Sequence, residues 1–357
     1  MNARDNMHRT GSCTEGGFAK ASARFGVVTA QGGWRKVTWG VVAGVAAVAT
    51  AGSLMVPSAA IAAEWVNVGG NQYNAGTAAG DDAGTWAWDG ADDMKLNGYN
   101  GGAIKAEGKL NIAYEGKNTV KTEPDYTGAA IKAQDGTSQK AELNITSSNS
   151  TDELNVTAEA DAIKSTGDLS ISGPGTVNTT STASDGIEAK GDLSITGSGT
   201  VNATGGTEGI QSKGKTTIDS SGTVIAKGGE GYGIAAGSDL IIKGGSQVEA
   251  SSRETLAVDT DGSLTVADAS LNASGVEYGV YGYKGIALDH ATVTVRTSEG
   301  GGQAIALFTD GDDIVIKMVP SWTRSQKESS QLRSLPETTS PTSRVAISTS
   351  ATPLSRL

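Results

Sequence analysis

The sequence predicts an all-β fold, a single-stranded right-handed parallel β-helix, from two periodicities. Apolar and polar residues alternate over short stretches, as at Leu193 and Ile195, and this is the period of strands with one buried face. Similar lines of sequence also recur every 22 to 24 residues, which is the spacing of a solenoid. The residues that mark this longer period are Ile163, Ile187, Ile210, Ile234, Val258 and Val280.

Each repeated line has room for three short strands and three turns, which make one coil of a parallel β-helix. Glycine, serine, threonine and β-branched residues dominate the lines, and these residue types disfavour helices. We therefore expect about nine coils of 22–24 residues between residues 101 and 317.

The composition favours a thin core repeated along an axis. The 357 residues include 50 glycines and only 3 phenylalanines, too few large side chains for a thick globular interior. The net charge is −11, which disfavours nucleic acid as a partner because phosphates need cationic surfaces. An acidic chain is compatible with divalent cations.

The first 63 residues are predicted to be a signal peptide with a long n-region. Arg35 and Lys36 precede an apolar stretch over 40–56, and Ala60-Ile61-Ala62 follows with small residues at a cleavage position. The protein is therefore expected to be secreted or at the cell surface, with membrane contact only through an uncleaved signal. The single cysteine, Cys13, lies in this segment, so the mature chain would contain no disulfide.

The two ends of the repeat region differ from the repeats. Residues 64–100 contain Trp86 and Trp88 and are expected to form an N-terminal cap, since the end of a solenoid exposes strand edges. Residues 318–357 lack glycine and aspartate and carry no repeat, which predicts a disordered or frameshifted tail.

Two sets of acidic residues are candidate calcium ligands. Asp161, Asp185 and Glu208 open successive coils, and Asp168 and Asp192 follow the next glycine turn. Stacking would place neighbours about 4.8 Å apart, where like charges repel unless a cation lies between them. The alternative is that each aspartate closes a tight turn by bonding to its own backbone.

Tyrosines cluster in a chain that is poor in aromatic residues. Tyr278, Tyr281 and Tyr283 are candidate carbohydrate-binding residues, because exposed rings stack on sugar faces. Packing within a turn is the alternative. No catalytic residue is predicted, since the repeat region has one histidine, His290, and neither a nucleophile motif nor a phosphate-binding loop.

Parts of the sequence resemble secreted bacterial carbohydrate-binding-domain proteins. Residues 185–187 (Asp-Gly-Ile) and 191–195 (Gly-Asp-Leu-Ser-Ile) match their repeated lines, and residues 85–90 resemble the start of related surface proteins from gut actinobacteria. The resemblance implies a calcium-binding right-handed parallel β-helix that holds plant-type, often acidic, polysaccharide. The chain departs from the pattern at Glu208, which replaces the aspartate that opens a coil, and at Lys215, which interrupts the second acidic set.

These observations together predict an extracellular, non-catalytic polysaccharide-binding protein, with calcium as the candidate bridge to acidic glycans. Two alternatives stay open. One is a structural adhesin or stalk that contacts a host, a cell-wall surface or neighbouring cells. The other is a polysaccharide lyase, because parallel β-helices include pectin-degrading enzymes.

Overall fold

Short β-strands make up the computed structural model, and no helix occurs among the residues that it describes. The described residues are 62–124, 126–136, 140–276, 278–297, 305–310 and 314–317. Contacts divide the chain into Met1–Met55 and Val56–Leu357, and every described residue belongs to the second unit. The predicted tail, and the predicted signal peptide up to residue 61, lie outside the described residues.

Six strands precede the first complete coil: β1 (Trp65–Val68), β2 (Asn71–Asn74), β3 (Ala79–Gly80), β4 (Trp86–Trp88), β5 (Asp93–Asn97) and β6 (Asn100–Gly101). The first four coils contain β7 (Ile104–Glu107), β8 (Leu110–Glu115), β9 (Lys117–Lys121), β10 (Ile131–Gln134), β11 (Leu143–Ser147), β12 (Glu153–Ala158), β13 (Ile163–Ser165), β14 (Leu169–Ser172), β15 (Thr176–Ser181), β16 (Ile187–Ala189), β17 (Leu193–Gly197) and β18 (Thr200–Thr204).

The next four coils contain β19 (Ile210–Ser212), β20 (Thr216–Ser220), β21 (Thr223–Gly228), β22 (Ile234–Ala236), β23 (Leu240–Lys243), β24 (Gln247–Ser252), β25 (Val258–Thr260), β26 (Ser263–Ala267), β27 (Ser270–Gly275), β28 (Tyr278–Gly282), β29 (Gly285–Asp289) and β30 (Thr292–Thr297). Two further strands, β31 (Ile305–Phe308) and β32 (Ile314–Lys317), follow them.

Each coil contributes one strand to each of three parallel sheets. Sheet I contains the first strand of every coil, from β7 to β31; sheet II contains the second, from β8 to β32; sheet III contains the third, from β9 to β30. Equivalent residues pair directly, so that Ile163 lies opposite Ile187, and Ile187 lies opposite Ile210. The predicted all-β parallel β-helix is therefore confirmed, with eight complete coils, close to the nine expected.

Apolar side chains form continuous columns inside the coils. Buried members of the sheet II column are Leu110, Leu143, Leu169, Leu193, Leu240 and Leu264. Burial of each such side chain contributes about 1.5–3 kcal/mol. Thr216 interrupts this column, and its hydroxyl lies 2.7 Å from the Ser212 hydroxyl, so that both buried oxygens have a hydrogen-bond partner.

Antiparallel strands cover the N-terminal end of the solenoid. β1 pairs with β2 on one side and with β7 on the other, and β4 pairs with both β3 and β5. Trp88 is buried there, and its indole N–H donates to the carbonyl of Ala91 at 2.9 Å. The edge of the first coil is thus paired rather than open.

Candidate functional site

The outward surface of sheet I, here called the sheet I face, carries the chemically varied side chains of the solenoid. One column lies two residues before each marker residue and contains Asp161, Asp185, Glu208, Tyr232, Leu256 and Tyr278. The column one residue after each marker contains Lys105, Lys132, Lys164, Glu188, Gln211, Ala235, Asp259, Tyr281 and Phe308. Along the axis the face therefore changes from lysines, through carboxylates, to aromatic rings.

Three buried carboxylates form a cluster in the middle of this face. Oxygens of Asp161, Asp185 and Glu188 all lie within 4.8 Å of one another. The Lys164 ammonium is 2.7 Å from Asp161 Oδ2 and also contacts Glu188, which pairs with Lys190 as well. The protein's own lysine therefore supplies a positive charge to this acidic cluster.

The acids that open the coils hold the backbone of the following coil. Asp161 Oδ1 accepts hydrogen bonds from the Ser184 hydroxyl at 2.5 Å and from the Asp185 amide at 3.3 Å. Asp185 Oδ1 likewise accepts from the Thr207 hydroxyl and from the Glu208 amide, the latter at 3.2 Å. Asp161 and Asp185 are stacked as the repeat predicts, and they link successive coils rather than bonding to their own turn.

The two stacked aspartates differ in their acidity. Burial raises the pKa of Asp161, but the hydrogen bonds from Lys164 and Ser184 outweigh it and hold that pKa below the ordinary value. Burial raises the pKa of Asp185 to about 7, and a hydrogen bond to the Glu208 carboxyl and its charge act in the same direction. The Asp185 carboxyl therefore keeps its proton to a higher pH than an ordinary aspartate does.

In this arrangement Lys164 already supplies positive charge where a calcium ion is predicted to bind. Calcium takes about six to eight oxygen ligands, whereas Lys164 lies between two of the three carboxylates and Glu208 is bonded to Asp185. Glu188 was not among the predicted ligands. The sequence could have indicated Glu188 through the repeat alignment, which places it directly opposite Lys164 in the next coil.

The second acidic set also links coils. Asp168 Oδ1 accepts from the Asp192 amide at 2.9 Å, and Asp192 Oδ1 accepts from the Lys215 amide at 2.8 Å. A β-carbon on Gly191 would lie 2.0 Å from Asp168 Oδ1, so glycine leaves the space that the carboxylate fills. Lys215 donates its backbone amide to Asp192 but has no carboxylate to accept from the next coil, so the ladder is interrupted there and resumes where Asp239 Oδ1 accepts from the Ser263 amide at 2.9 Å.

The three predicted tyrosines come together at the C-terminal end of the sheet I face, where Phe308 joins them. The Tyr281 and Phe308 rings are stacked with centroids 5.4 Å apart; Tyr278 lies 5.8 Å from Phe308, and Tyr283 lies 6.5 Å from Tyr281. Tyr283 is 50% exposed. Sequence reasoning missed Phe308 because the last coil pairs Leu307, not Ile305, with the marker residue Val280.

Carboxylates surround this aromatic cluster. The Tyr281 hydroxyl donates to Asp310 Oδ2 at 2.9 Å, and Asp259 lies opposite Tyr281 in the preceding coil. Burial, together with the charge of Asp261, raises the pKa of Asp259 to about 6. Rings beside hydrogen-bond acceptors can contact both the apolar face and the hydroxyl groups of a sugar.

Comparison with known proteins gives one match, to a family model that covers part of the chain. Residues 103–235 match a family model described as carbohydrate-binding domain-containing protein. No curated protein and no solved structure matches the chain. The matched segment runs from β7 to β22 and includes the lysines and the acidic cluster, while the aromatic cluster lies beyond it. Within the described ranges there is no helix long and apolar enough to cross a membrane.

Proposed function

We propose that this chain is a secreted, non-catalytic protein that binds acidic polysaccharide through the sheet I face. The observation that carries the proposal is the match of residues 103–235 to a family model described as carbohydrate-binding domain-containing protein. The sheet I strands of these coils carry outward lysine, carboxylate and amide side chains. Secretion depends on the predicted signal peptide, which remains a prediction.

The aromatic cluster is the proposed contact for sugar rings. Tyr283 is exposed, Tyr281 stacks on Phe308, and this packing orders the rings before a ligand arrives. Preordered aromatic side chains lose little conformational entropy on binding, which favours affinity. Asp259 and Asp310 beside them offer oxygens to sugar hydroxyl groups.

A polymer fits this surface better than a small sugar does. Equivalent residues of successive coils lie about 4.8 Å apart along the axis. The described strands of sheet I therefore extend this surface over many coils. Successive sugar units can therefore meet successive coils, and weak contacts add along one chain.

Calcium-mediated binding through Asp161, Asp185 and Glu208, or through Asp168 and Asp192, remains a prediction. At the first set an ion would have to displace the Lys164 ammonium. At the second set each aspartate keeps one oxygen on a backbone amide, so that one other carboxylate oxygen is left for a metal. A chelator therefore distinguishes the two modes of binding.

Affinity electrophoresis of the full chain tests the proposal, in gels that contain polygalacturonate or a neutral polysaccharide, with and without a chelator. Retardation in polygalacturonate is expected, and Tyr281→Ala should weaken it by about 1 kcal/mol or more, roughly fivefold in Kd. Thr265→Ala, outward on sheet II, is the matched control. No retardation in any glycan would favour an adhesin, and shortening of the polymer with unsaturated product would establish a lyase.

A further inference from the structure

We propose that Lys105 and Lys132 form a metal-independent site for the carboxylate groups of an acidic polysaccharide. The site lies at the N-terminal end of the sheet I face, far along the axis from the aromatic cluster. This inference rests on the proposed function. It adds which chemical group of the polysaccharide is bound, the carboxylate, and which two residues bind it.

The site is built by register. Lys132 lies directly opposite Lys105 in the preceding coil and opposite Lys164 in the following coil. Facing residues on adjacent strands are close, and like charges directly opposite each other destabilise a sheet. Three lysines in consecutive coils therefore concentrate positive charge on one strip of an otherwise acidic protein.

Only one of the three lysines is neutralised within the described part of the chain. Lys164 pairs with Asp161 and Glu188, whereas Lys105 and Lys132 form no ion pair there. Glu107 is the nearest acid on the same strand as Lys105, but its oxygens accept from the Gln134 amide group at 3.0 Å and from the Gly136 backbone amide. The positive charge of the other two lysines is thus available to an external anion.

The Tyr126 ring orders Lys105, and neighbouring charges act on Lys132. The Lys105 ammonium lies 5.2 Å from the centre of the Tyr126 ring, a cation–π contact that orders the side chain. Burial lowers the pKa of Lys132, and the charges of Lys164 and Lys105 lower it further, while the charges of Asp161 and Glu107 act in the opposite direction without reversing the shift. A bound carboxylate would relieve this repulsion and stabilise the protonated form.

The spacing of the lysines selects a polyanion with closely repeated charges. Two ammonium groups one coil apart, about 4.8 Å, can engage carboxylates on neighbouring sugar units of a polyuronate. Carboxylated polysaccharide is therefore the ligand class that this strip fits.

The test compares the full chain with the double variant K105Q/K132Q, using polygalacturonate and its carboxyl-reduced, neutral counterpart in the presence of a chelator. The double variant should bind polygalacturonate at least about tenfold more weakly. Binding to the neutral polymer should not change. K121Q/K227Q, which removes two lysines from sheet III, is the control with the same change of net charge.

Each outcome has a distinct meaning. If wild type binds polygalacturonate and K105Q/K132Q binds within twofold of it, the lysine site is wrong while the proposed function stands. If wild type binds neither polymer, the proposed function fails. If K105Q/K132Q and K121Q/K227Q lose the same affinity for polygalacturonate, the binding is a nonspecific charge attraction and the lysine site is wrong. K105R/K132R keeps both charges and should retain binding, which separates a lost charge from a lost fold.

Discussion

Carboxylates that occur in similar sequence contexts have different roles in this protein. The side chains next to each carboxylate determine its role. Asp161 has a lysine beside it and keeps a low pKa, whereas Asp185 has Glu208 and its pKa rises to about 7. The sequence predicts that these acids stack. It does not predict that Lys164 would lie between Asp161 and Glu188, because that contact depends on side-chain conformations across two coils.

The raised pKa of Asp185 makes stability depend on pH. The folded state keeps a proton on Asp185 that the unfolded state loses above the ordinary pKa of 3.8, so the contribution of Asp185 to the free energy of unfolding falls between about pH 4 and pH 7 and levels off above that range. Asp185→Asn removes this penalty and should raise the free energy of unfolding at pH 8 by on the order of 2 kcal/mol. Urea unfolding at pH 5 and pH 8 measures the effect.

Asp192→Asn, in an exposed turn of the same coil as Asp185, is the control and should leave the pH profile close to that of wild type. An Asp185→Asn variant that is less stable than wild type at pH 8 would contradict the raised pKa of Asp185.

The Asp192 carboxylate is expected to matter as an acceptor rather than as a charge. Asp192→Ala leaves the Lys215 amide without its partner and should lower the free energy of unfolding by about 1 kcal/mol. Asp192→Asn keeps the accepting oxygen and should cost less. Thermal unfolding of the two variants compares them, and equal losses would show that the hydrogen bond contributes nothing.

The strands are the part of the structure that the sequence predicts best. Alternation identifies the inward residues of each strand, and the repeat then aligns them, so that Leu169 and Leu193 pair as their spacing predicts. The marker series does not extend to the last described strands, where Leu307 pairs with the marker residue Val280 and Ile305 pairs with Tyr278. The period is irregular there, and pattern alone does not distinguish registers two residues apart.

A core column should be sensitive to truncation in the middle of the stack. Leu193 is buried between Leu169 on one side and Thr216 on the other. Leu193→Ala should therefore lower the free energy of unfolding by about 2–5 kcal/mol, since the neighbouring coils cannot collapse into the cavity. Ser194→Ala, one residue along and outward-facing, is the matched control and should change stability by less than about 0.5 kcal/mol. Chemical denaturation of both variants measures the difference, and similar losses would contradict the inward and outward assignments.

At the scale of the whole molecule, the proposed function depends on which of the three sheets contacts the glycan. The three sheets contain 11, 12 and 9 strands among the described residues, and sheet I changes along its axis from lysines to carboxylates to aromatic rings. The sequence identifies the tyrosines and the acids, yet the lysines become a site only when Lys105 and Lys132 are placed opposite each other. Their grouping depends on register between coils of unequal length, which composition does not reveal.

Hydrogen exchange on the full chain, with and without polygalacturonate, tests most directly whether the sheet I face binds glycan. Slower exchange is predicted for the turns and strands from β7 to β28 of sheet I, with little change in sheets II and III. Protection confined to sheet II or sheet III, with sheet I unchanged, would contradict the account.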